Sequence, residues 1–106
     1  MAYIYRIDFD ITPEQMSQLE IGASLERTLG YLRTLLPSQM GFINARAMHA
    51  LNGNDEVHLS FESEWERWED LQAHRTSSLS EDKVLKEFEP HVKLEDLTVR
   101  VYEEVS

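Results

Sequence analysis

Four histidines, His49, His58, His74 and His91, are the side chains in this sequence whose proton affinity suits acid–base or metal chemistry near neutral pH. They fall on separate elements, without the short spacings that helical or hairpin metal sites show. His49 and His58 come nearest to a pair, because both flank Asn52-Gly53, a tight-turn signal between two alternating segments. Alternation groups His49 with Ala45, Ala47 and Leu51, and His58 with Ser60 and Glu62, so the two rings should face opposite ways unless a bulge intervenes. No metal site is expected. The absence of cysteine excludes disulfides, thiolate metal sites and cysteine nucleophiles, and neither a serine triad nor a glycine-rich phosphate loop is present. Trp65 and Trp68, followed by His74, form the remaining grouping of large and titratable side chains. Large aromatics at a strand–helix junction are ordinarily core, so their packing role competes with any site role.

Those residues sit where the sequence changes period. Val57, Leu59 and Phe61 alternate with His58, Ser60 and Glu62, and Trp65 closes the strand; Trp68, Leu71 and Arg75 then recur at helical spacing over roughly residues 66–78. Upstream, Tyr3, Tyr5, Ile7, Phe9 and Ile11 alternate with Arg6, Asp8 and Asp10 as a first strand. Thr12-Pro13-Glu14-Gln15 reads as a capping box opening a helix, with Met16, Leu19, Ala23, Leu29, Leu32 and Leu36 as its buried stripe and Pro37 as its stop. Residues 41–51 form a second strand, paired with the third through the Asn52-Gly53 turn. Ser80 can cap a further short helical segment, Glu81 to Glu89, ended by Pro90, and residues 96–104 alternate as a fourth strand. The order is β-α-β-β-α-β, which with right-handed crossovers predicts an α+β ferredoxin-like fold: an antiparallel four-stranded sheet with its helices on one face.

With 106 residues, no linker and no low-complexity tract, the chain is expected to be a single domain over 1–106. Twenty acidic against ten basic residues give a net charge of −10, and the basic residues are spread along the chain, so neither nucleic acid nor a membrane surface is an expected partner. The opening MAYIYRIDFDI alternates and is charged by its sixth residue, unlike a signal peptide or a span, and a cytoplasmic protein is expected. On the sheet face that no helix covers, the pattern places Arg6, Asp8, Asn44, Arg46, His58, Ser60, Glu62, Arg100 and Tyr102, with Phe42 and Met48 among them. Such a face is either solvated and laced with cross-strand charge pairs or packed on the sheet of a second copy.

The element order, the Gly41-Phe42 start of the second strand after a proline-ended helix, and Phe61-Glu62-Ser63-Glu64-Trp65 followed by Ala73-His74 resemble the antibiotic biosynthesis monooxygenase family over nearly the whole chain. The resemblance implies a dimeric α/β barrel, a homodimer formed through the uncovered sheet face, with a pocket between sheet and helices in each subunit. It also implies cofactor-independent oxygenase chemistry on a small aromatic or quinol-type substrate, which needs a dry cavity, a base for the substrate hydroxyl and polar groups to hold the anion. On that reading Phe9, Met16, Tyr31, Met40, Trp65 and Trp68 line the substrate site, His74 is the catalytic base, and no cofactor is required. The haem-degrading branch of the fold is not matched. Its strand asparagine is replaced by Asp8 and Asp10, His74 falls where its tryptophan would stand, and no histidine follows until His91, beyond Pro90.

Two function classes remain: a cofactor-independent monooxygenase, or a non-catalytic dimeric module of the same fold that binds a small apolar or aromatic ligand or simply assembles. An open pocket reaching His74 favours the first, and a cleft filled by the tryptophans favours the second.

Overall fold

The computed structural model describes residues 2–51, 55–76 and 86–105, and the side chain of Leu94 is not described. The elements are β1 (Tyr3–Ile11), α1 (Gln18–Thr34), a 3₁₀ turn (Leu36–Ser38), β2 (Phe42–Leu51), β3 (Val57–Trp65), α2 (Trp68–Thr76), a second 3₁₀ turn (Leu94–Asp96) and β4 (Thr98–Glu103). The sheet runs β2-β3-β1-β4 with every pairing antiparallel, the ferredoxin-like order expected from the sequence. The Asn52-Gly53 turn and most of the expected segment from Glu81 to Glu89 lie outside the described residues.

Pleating sorts the chain into two faces. Ile7, Phe9, Ile11, Val57, Leu59, Phe61 and Trp65 point to one side of β1 and β3, and all are buried. Phe9 stacks on Phe61 at 5.9 Å, and Phe88 from beyond α2 packs on both rings.

Two local expectations are corrected. Helix α1 begins one turn later than the Thr12 cap suggests. The Thr12 and Gln15 box closes only an isolated turn, with the Thr12 amide donating to Gln15 Oε1 at 2.8 Å, and Ser17 with Glu20 forms the reciprocal capping box of the helix itself. Met16 is thereby freed from helical phase to enter the core. The buried stripe is Ile21, Ser24, Thr28 and Leu32, which leaves Leu19 89% exposed and Ala23 on the surface. Small polar residues are tolerated in that stripe because Thr28 donates back to the Ser24 carbonyl at 2.8 Å.

The second correction concerns Phe42. A register shift between Phe42 and Asn44 turns Phe42 from the uncovered face to the helix side, where it meets Trp65 edge-on at 5.6 Å. Just before it, Gly41 holds a φ of +79° and accepts a 2.8 Å hydrogen bond from the Glu66 amide, tying the entry of β2 to the exit of β3. A Cβ at Gly41 would collide with the Asp70 carboxylate, which is buried at the start of α2. Replacing Gly41 with alanine combines left-handed strain with that collision and should destabilise the protein by about 2–3 kcal/mol, read as a lowered urea midpoint at unchanged m-value.

Candidate functional site

Helix α2 positions His74 through its start. The Glu66 amide donates to the Gly41 carbonyl, Arg67 pairs with Asp70 at 3.2 Å, and Asp70 lies over the glycine, so the helix leaves the end of β3 in one direction. Its inner face carries Asp70, Leu71 and His74. His74 is 3% exposed. Its ring stacks on Trp65 with centroids 4.7 Å apart and planes 26° from parallel, while Tyr5 meets it edge-on at 5.8 Å. Trp65 is itself fully buried and donates its indole N–H to Ser63 Oγ at 2.9 Å, which satisfies the one polar group that burial would otherwise leave costly.

The free space beside the imidazole, between Tyr5, Ile7, Leu36, Phe61 and Ser63, is about 20 Å³. That holds roughly one water and no organic substrate. Burial lowers the His74 pKa to about 4, so the ring is neutral at physiological pH. The same burial weakens it as a base. Taking the proton of a phenol of pKa about 10 onto a group of pKa about 4 is uphill by about 8 kcal/mol, against about 5 for an ordinary imidazole.

The residues expected around this cleft are only partly brought together. Trp65 and His74 touch. Trp68 is 43% exposed and lies edge-on to Tyr3, outside the cleft, and Met40 is 76% exposed with its sulfur toward Arg67. Phe9 is core, Met16 is buried in the turn before α1, and half-buried Tyr31 on α1 does not border the space at His74. Tyr5 and Ser63 join the site without a sequence signal of their own. Both occupy inward positions of their strands, and the pairing of Tyr5 with Ser63 across β1 and β3 brings them side by side.

On the uncovered face the alternation holds for the charged residues. Arg6 grips Asp8 with two hydrogen bonds, of 2.9 and 3.1 Å, and reaches Glu62 at 3.1 Å; Arg46 takes the other Glu62 oxygen at 2.7 Å. His58 bridges Asp8 at 3.1 Å and Asp10 at 2.8 Å. Hydrogen bonding to Asp10, then to Asp8, outweighs burial and raises the His58 pKa. Burial pushes the Asp8 carboxyl up, but its hydrogen bonds to Arg6 and His58 hold it below its ordinary value. His49 pairs with Leu59 on the other face, so the two hairpin histidines are apart. Among the described residues no group of three or more acidic or histidine side chains converges on a point that could hold a metal ion, and no helix is long and apolar enough to cross a membrane.

No family model and no curated protein matches this sequence. Solved structures do. A putative antibiotic biosynthesis monooxygenase from Deinococcus radiodurans is 16% identical with a TM-score of 0.66, covering 98% of this chain and 93% of its own. SnoaB, a cofactor-independent oxygenase from Streptomyces nogalater solved as a mutant, is 8% identical with a TM-score of 0.66, covering 99% and 94%. A dimeric protein of unknown function and ferredoxin-like fold from Bacteroides fragilis is 13% identical with a TM-score of 0.66, covering 96% of each chain. At such identities the likeness establishes a common fold. This chain has the fold of the antibiotic biosynthesis monooxygenases over nearly its whole length.

His74 and His58 should titrate in opposite directions from 6.5. His74, whose folded value is depressed, favours the folded state above 6.5 and loses that contribution as pH falls toward about 4, by about 3 kcal/mol in all. His58, whose folded value is raised, contributes fully below 6.5 and loses its contribution as pH rises through the folded value. Proton NMR of the imidazole resonances, assigned with His74→Gln and His58→Gln, should show these opposite displacements; two ordinary titrations near 6.5 would contradict them.

Proposed function

We propose that this chain is a dimeric, non-catalytic module of the monooxygenase-like fold, assembled through its uncovered sheet face. The observation that carries this reading is the lack of room at His74: Trp65 lies flat on its ring, and the free space beside the imidazole is about 20 Å³. The depressed basicity of His74 points the same way. For assembly, the support is the unusual burial of charge on a face that no helix among the described residues covers. The side chains of Asp8 and Glu62 are only 14% and 11% exposed, each held by arginine, and the exposed Met48 stands beside them opposite Ser60. A second sheet laid on this face would find its ions already paired within each subunit, which lowers the desolvation cost of association.

A cofactor-independent oxygenase is the second reading. It is favoured by the neutral imidazole inside an apolar enclosure, and by SnoaB, an oxygenase of this fold. It requires Trp65 to swing off His74 so that a small aromatic or quinol-type substrate enters.

Sedimentation equilibrium at micromolar concentration should return twice the 12.4 kDa chain mass. Arg46→Glu should weaken the dimer several-fold while Arg33→Glu, on α1, leaves it intact; a monomer, or equal effects at both positions, would overturn the assembly. Oxygen uptake with anthrone and quinol compounds separates the two readings. The module gives no uptake above buffer, whereas an oxygenase gives uptake that His74→Ala lowers about a hundredfold to ten-thousandfold.

A further inference from the structure

A groove of about 510 Å³ runs along one edge of the molecule between α1 and β2, within the range of small-ligand sites. Leu29 and Leu32 of α1 and Phe42 and Ala45 of β2 give it an apolar floor. The charged side chains along it are Arg33 and Arg46, and among the described residues no carboxylate lines it. In a chain with twenty acidic and ten basic residues, two arginines without an acid reverse the local sign of charge. The unanswered positive charge there is Arg33's: Arg46 is paired with Glu62 at 2.7 Å, whereas Arg33 enters none of the ion pairs among the described residues. Leu32 borders both this groove and the small space at His74, so its side chain separates the groove from the closed cleft.

We propose that this groove binds a small organic anion, an apolar body bearing one carboxylate. The body covers Leu29, Leu32 and Phe42, and the carboxylate meets the guanidinium of Arg33, with Arg46 bordering the same groove. A guanidinium offers a planar pair of donors that fits a carboxylate, and the adjoining apolar floor excludes water from one side of that contact. The remaining surface is strongly acidic, so an anion is repelled elsewhere and finds this groove as the exception. Arg46 is shared with the sheet face proposed for assembly, whereas Arg33 belongs to α1, so the test is placed on Arg33.

The test uses 2-naphthoate and its neutral isostere 2-naphthalenemethanol, titrated into the full chain by calorimetry with NMR mapping of the amides. Naphthoate should bind about tenfold more tightly than the alcohol. Arg33→Gln should remove that preference without changing the alcohol's affinity, and rising salt should reduce it. The amides of Arg33, Phe42 and Ala45 should shift, while the His74 ring resonances stay in place because Leu32 stands between. Arg33→Lys should restore part of the preference. Equal affinity for the two compounds, an unchanged preference in Arg33→Gln, shifts centred on the His58 face, or no binding of naphthoate would each overturn the site. Sedimentation of Arg33→Gln, expected to be that of the wild type, separates failure of this site from failure of the dimer.

Discussion

Burial of the Trp65 indole is the constraint on which the rest of this structure turns. The ring sits at the last residue of β3, with no exposure, and three neighbours from different parts of the chain are arranged around it: Phe42 edge-on, Ser63 accepting its N–H, and His74 stacked on its plane. Each demands a backbone solution. Phe42 reaches the ring through the irregular register at the start of β2, and the chain can turn into that strand because Gly41 accepts a positive φ with the Asp70 carboxylate against it. His74 reaches it because α2 starts almost immediately after the strand ends. The same residue therefore closes the strand, orients the helix and fills the interior beside His74.

The two sheet faces divide the chemistry between them. The inner face is apolar and holds a histidine that burial keeps neutral; the outer face holds a histidine that two aspartates keep protonated to higher pH. In sequence the two rings are equally plain. Their opposite electrostatics follow from strand and helix phase alone, since one ring turns toward Trp65 and Tyr5 and the other toward Asp8 and Asp10. Fold by itself does not decide activity. The proposed non-catalytic reading rests on local features instead: the small space beside His74 and the low basicity that burial gives its ring.

The strands are readable because alternation is a direct record of which side of a sheet is wet, and β1 and β3 follow it closely, whereas β4 is exposed along its length except at half-buried Val101. The start of α1 is not readable, because two successive capping boxes, Thr12 with Gln15 and Ser17 with Glu20, present the same local signal, and the helix starts at the second, with Met16 buried between them. The stripe on α1 is hidden for a related reason. Ser24 and Thr28 are buried although polar, the Thr28 hydroxyl being satisfied by the Ser24 carbonyl, which hydrophobic periodicity does not register. Alternation puts Phe42 on the wrong face because a one-residue register shift inverts every side-chain direction on its far side. At the site, His74 and Trp65 are legible as neighbours across a strand–helix junction, whereas Tyr5 and Ser63 become visible only with the register of β1 on β3.

The closed cleft is open to direct measurement through its tryptophan. In Trp68→Phe the sole indole is Trp65, whose emission should be blue-shifted and whose quenching by acrylamide should fall roughly tenfold below that of free indole in solution, as expected for a ring with no exposure in a close-packed interior. Emission near that of indole in water, with quenching close to the diffusion limit, would mean that Trp65 leaves His74 and that the cleft is open.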